Sequence, residues 1–323
     1  MSLSFDATDA SLDVLLPGTA SPRLRALAMA ALAGGVIART RLRRRSAAEM
    51  VLKGPRDYQT EVDVAVEAEI AGRLAASFPD HAISGEEQAA DRAGVEGLPR
   101  ILIDPIDGTT NYAWGIPHFG IALAIVEAGE VTCGVVFDCM QVELFAGEAG
   151  QGAYLNGERL AVAPAAELEN ALIGAGLPVP GQVKSVREET YHAALRRAMA
   201  TTAGVRRLGS ASLSVSYVAC GRLDGFFEDG LSLHDYGAAA LLVREAGGVI
   251  GGFAGGPVGP AGDVLVATPW LAGWLREGLA EKPVQPAKAA DRASASSVVI
   301  WSTLRASSRS TSGRVSGPIS RIV

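Results

Sequence analysis

The chain has three cysteines in 323 residues, Cys133, Cys139 and Cys220, and none stands in a CxxC pair. An odd number without ligand spacing argues against a disulfide framework and a zinc knuckle, and reads as buried thiols. Long apolar runs are lacking too. The longest, Ala26 to Ala38, falls well short of the roughly 20 residues that a membrane-spanning helix needs. The acidic Asp6 and Asp9 do not suit a secretory signal, so the expectation is a soluble, cytoplasmic protein with no membrane partner. Cationic excess is absent as well, and a net charge of −6 argues against nucleic acid as the main partner. Three of the four histidines, His81, His118 and His192, lack ligand spacing.

What is present suits a globular fold. Hydrophobic residues make up 48% and charged residues 20%, which excludes a fully disordered chain. The length is enough to bury a core without a covalent or metal staple. The 38 glycines and 16 prolines follow no collagen-like period and imply many turns.

A helix is predicted from Ser21, followed by the cationic stretch Arg39–Arg45, which reads as a solvated face. After a turn at Gly54-Pro55, Val62, Val66, Ile70 and Leu74 recur every four residues, a helical stripe with Thr60 as its N-cap. Strands are expected at 100–103, 120–128, 130–137, 144–146 and 152–155, with Gly129 and Asn156-Gly157 as hairpin turns. The second half alternates strands at 171–175, 225–228, 249–251 and 264–267 with helices at 188–199, 212–219, 235–245 and 269–279. Two layered α/β halves follow from this pattern. Residues 1–155 form an N-terminal α+β half and 156–282 a C-terminal α/β half. Residues 283–323, rich in Ser and Arg, form a tail expected to be disordered.

Four carboxylates gather at two short motifs. Ser84-Gly85-Glu86-Glu87 supplies two beside a permissive glycine, and Asp104-Pro105-Ile106-Asp107 supplies two more at the end of a strand. A sharp turn at Pro105 would aim Asp104, Asp107 and the Ile106 carbonyl at one point. Hard oxygen ligands of this kind select Mg²⁺, Mn²⁺ or Ca²⁺. Gly108-Thr109-Thr110 follows directly, and glycine next to hydroxyl residues lets backbone N–H groups approach an anion. Metal ligands beside a phosphate cradle imply phosphoryl chemistry. Asp235 opens a helix, where aspartate also serves as an ordinary cap.

Gly85-Glu86-Glu87 together with Asp104–Tyr112, DPIDGTTNY, resembles the inositol monophosphatase family of Mg²⁺-dependent, lithium-sensitive phosphatases. His234-Asp235 through Gly247-Gly248 resembles that family's downstream signature, with His234 where the family usually has tryptophan; an imidazole there could tune Asp235 or touch substrate. Asp57–Asp63 is similar to its DxxTxxD segment, and Lys53 resembles the lysine of its mobile loop.

The resemblance implies an α/β fold, the αβαβα layered sandwich of the inositol monophosphatase and fructose-1,6-bisphosphatase type. It makes Glu86, Asp104, Asp107, Asp235 and the Ile106 carbonyl ligands of two or three Mg²⁺ ions, with Asp63 at a further metal. Thr109, Glu86 and Asp63 become the catalytic group, Thr109 orienting the attacking water. Gly108, Thr109, Ser210, Ala211 and Glu228 face the substrate, although Ser210 also suits a helix cap and Glu228 a solvated strand end. The implied reaction is hydrolysis of a small phosphomonoester by metal-activated water, with inositol 1-phosphate the leading substrate and a homodimer the expected assembly. The substrate alcohol is a polyol or an amino alcohol. The alternatives are a histidinol-phosphatase or another sugar or nucleotide phosphatase of the family. A further alternative is a regulatory, RNA-associated protein that keeps the fold and binds through Arg39–Arg45 and the basic tail.

Overall fold

Strands buried on both faces explain the apolar runs of the N-terminal half. In β5 (Gly120–Glu127), Ile121, Leu123 and Ile125 enter one core while Ala122, Ala124 and Val126 enter another. The period of two therefore sorts large residues to one face and small ones to the other. The computed structural model describes residues 6–42, 50–54, 57–88 and 90–280, and the backbone alone within 50–59. The described residues belong to one compact unit. The Lys53 and Asp57 side chains, Arg43–Arg45 and the tail from 283 lie outside the described residues.

In chain order the elements begin with α1 (Asp9–Leu15), α2 (Pro22–Arg41), β1 (Met50–Gly54), β2 (Asp57–Thr60) and α3 (Glu61–Ser77). There follow β3 (Ala82–Gly85), β4 (Arg100–Asp107), α4 (Thr109–Ala113), β5, β6 (Glu130–Asp138), β7 (Glu143–Glu148), β8 (Gly152–Leu155) and β9 (Glu158–Arg159). The remainder is β10 (Leu172–Ala175), α5 (Glu188–Thr201), β11 (Gly204–Arg206), α6 (Ala211–Ala219), β12 (Gly225–Glu228), α7 (Leu233–Glu245), β13 (Val249–Gly251), β14 (Val264–Ala267) and α8 (Pro269–Leu279).

Strands β3 to β9 form a seven-stranded sheet in sequence order, with β3 parallel to β4 and the rest antiparallel. A second sheet of five strands runs β11-β10-β12-β14-β13. Helices α2 and α3 cover the outer face of the first sheet; α6 and α7 contact strands of both sheets; α5 and α8 pack on the second sheet. The layers are thus αβαβα, as the family resemblance implied. Gly134 on β6 permits the close approach of α7, since a Cβ there would lie 2.9 Å from the Ala238 carbonyl oxygen.

The hairpin turns form as expected, with Ala128-Gly129 and Asn156-Gly157 all at positive φ. Three expectations need correction. Strand β4 does not stop at Ile103 but continues to Asp107 through a register shift between Asp104 and Asp107. Pro105 has no N–H to lose from the ladder, so a bulge accommodates it. Helix α7 begins at Leu233, with Ser232 as N-cap and Asp235 at the third helical position. Helix α6 begins at Ala211, capped by the Ser210 hydroxyl, which accepts from Leu213 N at 3.3 Å.

Candidate active site

The cleft gathers residues from both sheets. A cavity of about 250 Å³ is lined by Glu86, Asp104, Ile106, Asp107, Gly108, Thr109, Thr110, Arg207, Gly209, Glu228 and Asp235. A contiguous one shares Asp107, Arg207, Gly209, Glu228 and Asp235 and adds Gly176, Ser210 and Ala211. The combined space suits a small molecule.

Glu86, Asp104 and Asp235 each offer a carboxylate oxygen within 4.8 Å of the other two. Asp104 is buried, and among the described residues neither of its oxygens is hydrogen-bonded. Burial first, then the charges of Glu86, Asp107 and Asp235, push it well above the usual carboxylate range. A buried, unpaired carboxylate facing two others is costly unless a cation sits among them. These residues therefore fit a divalent metal ion with oxygen ligands.

Each ligand candidate is placed by a different device. Glu86 follows β3, and its amide donates to the Ile103 carbonyl at 2.9 Å, which ties it to the strand that carries Asp104. The buried Glu67 on α3 accepts from the amides of Glu87 and Ala90 at 2.9 and 3.0 Å, so an α3 carboxylate shapes the loop that presents Glu86. Gly85 makes room for it, since a Cβ there would lie 2.3 Å from the Glu67 carboxyl carbon. Asp235 accepts the Ser232 amide at 2.5 Å and completes a capping box, so the aspartate that closes the helix end also faces the cleft.

Asp107 stands differently. Its carboxylate accepts the Ser210 hydroxyl, the Ser212 hydroxyl and amide, and the Ala211 amide. Burial raises its pKa and these bonds oppose the rise. Asp107 therefore lines the cleft while gripping the start of α6, and it is not within the three-carboxylate group.

Thr109 heads α4, preceded by Gly108 at φ 99°. Its hydroxyl lies 3.0 Å from the Ile106 carbonyl and 3.3 Å from Asp63 Oδ1, and its single proton can serve one of them at a time. Asp63 is buried and pushed up to about 6, by burial first. Its other oxygen takes the Thr60 amide and hydroxyl in a capping box, so Asp63 is a helix cap and a partner of Thr109 together.

At the far end, Glu228 closes β12 and is pushed up to about 7, by burial first, with Arg207 opposing. Gly176 allows it that position, because a Cβ there would lie 2.3 Å from the Glu228 carboxyl carbon. Sequence reasoning missed Arg207, which lines both cavities, and Asn111, whose amide donates to the carbonyls of His118 and Leu208 at 2.8 Å each. It missed Glu67 as well. Arg207 stands three residues before Ser210, and a charged residue next to substrate-facing ones was the available signal. His234 is half-buried, and burial lowers its pKa.

The model of the inositol monophosphatase family matches residues 21–285. Inositol-1-monophosphatase of Rhizobium meliloti is 40% identical over 237 residues, 73% of this chain and 87% of that protein. Nus factor SuhB of Pseudomonas aeruginosa is 44% identical over 205 residues, 63% of this chain and 75% of that protein. Among solved structures, the extragenic suppressor protein suhB from Bartonella henselae superposes with a TM-score of 0.74 at 33% identity, covering 80% of this chain and 98% of that one. Inositol monophosphatase from Anabaena (Nostoc) sp. PCC 7120 superposes with a TM-score of 0.66 at 30% identity, covering 80% and 94%. With the family model matched over most of the chain and the layers shared with these solved structures, the chain belongs to the inositol monophosphatase family, a family of phosphatases.

Proposed function

We propose that this chain hydrolyses a small phosphomonoester with Mg²⁺ as cofactor, inositol 1-phosphate being the first candidate. The observation that carries the reading is Asp104, buried and unpaired between Glu86 and Asp235. Glu86, Asp104 and Asp235 hold the first ion; the Ile106 carbonyl, Asp107 and Asp63 complete sites for two or three ions. When bound, such ions neutralise the phosphate, lower the pKa of water and stabilise the leaving alkoxide.

The protein's own part is positioning and proton handling. Gly108 and Thr109 border the phosphate. The Thr109 hydroxyl, within reach of Asp63 Oδ1, orients the attacking water and passes its proton on. Asp63, whose Oδ1 faces that hydroxyl, is the group that takes the proton. Ser210, Ala211 and Glu228 border the leaving alcohol, and Glu228 at about 7 can accept or donate a hydrogen bond to a hydroxyl. Lithium inhibition, a homodimer and a cytoplasmic location accompany this reading; no described helix is long and apolar enough to cross a membrane.

Phosphate release tests it, measured with Mg²⁺, with and without Li⁺, across inositol 1-phosphate, histidinol phosphate, fructose 1,6-bisphosphate, 3′-phosphoadenosine 5′-phosphate and NADP. One strongly preferred, metal-dependent substrate is the expected result. Turnover of histidinol phosphate alone would name the alternative substrate. A silent panel from folded protein would move the assignment to a binding role, such as association with RNA.

A further inference from the structure

His234 is the second residue of α7 and immediately precedes Asp235. Its ring does not turn outward. Nε2 lies 3.2 Å from the Ser84 carbonyl oxygen and 3.4 Å from the Ser84 hydroxyl, across 150 residues of sequence. Ser84 belongs to β3 and stands two residues before Glu86. One polar contact therefore joins the segment that presents Asp235 to the segment that presents Glu86.

The three carboxylates are not anchored alike. Glu86 and Asp104 share a sheet: Ser84 pairs with Leu102 and Gly85 with Ile103 in the β3–β4 ladder. Their separation follows from that ladder. Asp235 comes from α7, which docks on the sheet through apolar contacts such as Ala238 against Gly134 and, at its far end, through Glu245, which accepts from the amides of Gly150 and Gly152; along the half that carries Asp235 the contacts with the sheet include the apolar ones. Apolar packing is non-directional and tolerates small slides along the helix axis. A hydrogen bond at the helix N-terminus is directional and fixes the last few tenths of an ångström. Mg²⁺ demands near-ideal octahedral geometry at about 2.0–2.1 Å, so such a shift matters to it.

We infer that His234 is a positioning residue: by donating Nε2–H to the Ser84 carbonyl it sets the distance between Asp235 and the Glu86–Asp104 pair, and so the affinity for the divalent cation. The inference rests on the reading that these three carboxylates hold that cation. It assigns a function to the residue at which this chain departs from the family's usual tryptophan. The ring contacts neither substrate nor metal in this role; it acts through the backbone of β3.

The test uses the full chain freed of metal. Mn²⁺ binding is followed by the electron paramagnetic resonance of the free ion for the wild type, His234→Ala and His234→Gln, beside thermal melts without metal. The glutamine amide keeps an N–H donor of similar reach. Loss of the brace is expected to weaken Mn²⁺ binding roughly tenfold in His234→Ala, the range seen when groups supporting metal ligands are removed. His234→Gln should recover most of that loss. A purely structural histidine would lower the metal-free melting temperature and leave Mn²⁺ affinity alone. His234→Ala binding Mn²⁺ within twofold of the wild type, or His234→Gln as weak as His234→Ala, overturns the inference. Wild-type protein that binds no Mn²⁺ overturns it together with the metal site. Wild-type protein that binds Mn²⁺ but releases no phosphate overturns the proposed reaction alone.

Discussion

The hydroxyl of Ser210 donates to the carboxylate of Asp107 across 103 residues of sequence. Ser210 is the N-cap of α6 and Asp107 ends β4, so this bond joins the strand of the DPIDGTT motif to the helix that borders the alcohol side of the cleft. Ser212 and Ala211 add three more donors to the same carboxylate.

Asp107→Asn should therefore do two things at once. Its amide cannot accept every one of those donors, and an unsatisfied buried donor costs about 1–3 kcal/mol. Urea unfolding should show a loss of that size, and Mg²⁺-dependent turnover should fall by at least tenfold. A variant as stable and as active as the wild type would remove Asp107 from both roles.

Asp104→Asn should act in the opposite direction on metal-free protein. Replacing one of several crowded carboxylates relieves repulsion and burial of charge, so the metal-free melting temperature should rise. The further rise produced by Mg²⁺ in the wild type should disappear. Calorimetry with and without Mg²⁺ checks both signs.

Glu67→Ala should weaken the loop that carries Glu86. It strands the amides of Glu87 and Ala90, each costing about 1 kcal/mol or more. Mg²⁺ activation should shift to higher concentration, and the amides of 87 and 90 should exchange hydrogen faster. Unchanged exchange there would show that Glu67 does not hold the loop.

Gly108→Ala meets two obstacles. The residue has φ 99°, and an added Cβ would sit 3.0 Å from the Gly209 carbonyl oxygen. The left-handed conformation alone costs about 1–2 kcal/mol for an L-residue. Stability should fall by at least that much, and turnover should fall further because Thr109 is the next residue. Phosphate-release kinetics on the folded variant separates the two effects.

Glu228 supplies a pH test. Its folded value is pushed up to about 7 from an ordinary 4.5, so the fold favours the neutral acid. Its contribution to stability is full below about 4.5 and is lost as pH rises through about 7. Glu228→Gln has no such dependence. The melting temperature of the wild type should thus fall relative to Glu228→Gln between pH 5 and 8, and parallel curves would show that Glu228 is not buried as a neutral acid.

Local patterns carried much of the fold. The four-residue stripe of Val66, Ile70 and Leu74 is buried on α3 as read, and Thr60 caps it. Helix α8 spans 269–279, the predicted range. The strand at Asp104-Pro105 was read too short, because proline usually ends a ladder and the bulge that keeps it depends on pairing with Ala122 and Gly120. Asp235 is expected to open its helix, as a metal ligand in a place that also suits an ordinary cap. The capping is instead reciprocal with Ser232, a choice that depends on where the chain enters the helix.

By itself the sequence determined the family, the elements and the carboxylate motifs, because caps, turns, apolar periods and short ligand runs are all encoded within a few residues. Tertiary structure alone decided which carboxylates meet. Glu86 and Asp104 are joined by a strand ladder, and Asp235 arrives on a helix seated against Gly134. Asp107, read beside Asp104 in one motif, turns to the start of α6, because four donors there satisfy its charge. Asp104 has no such donors among the described residues, and that difference in hydrogen bonding leaves it facing Glu86 and Asp235, where a cation fits.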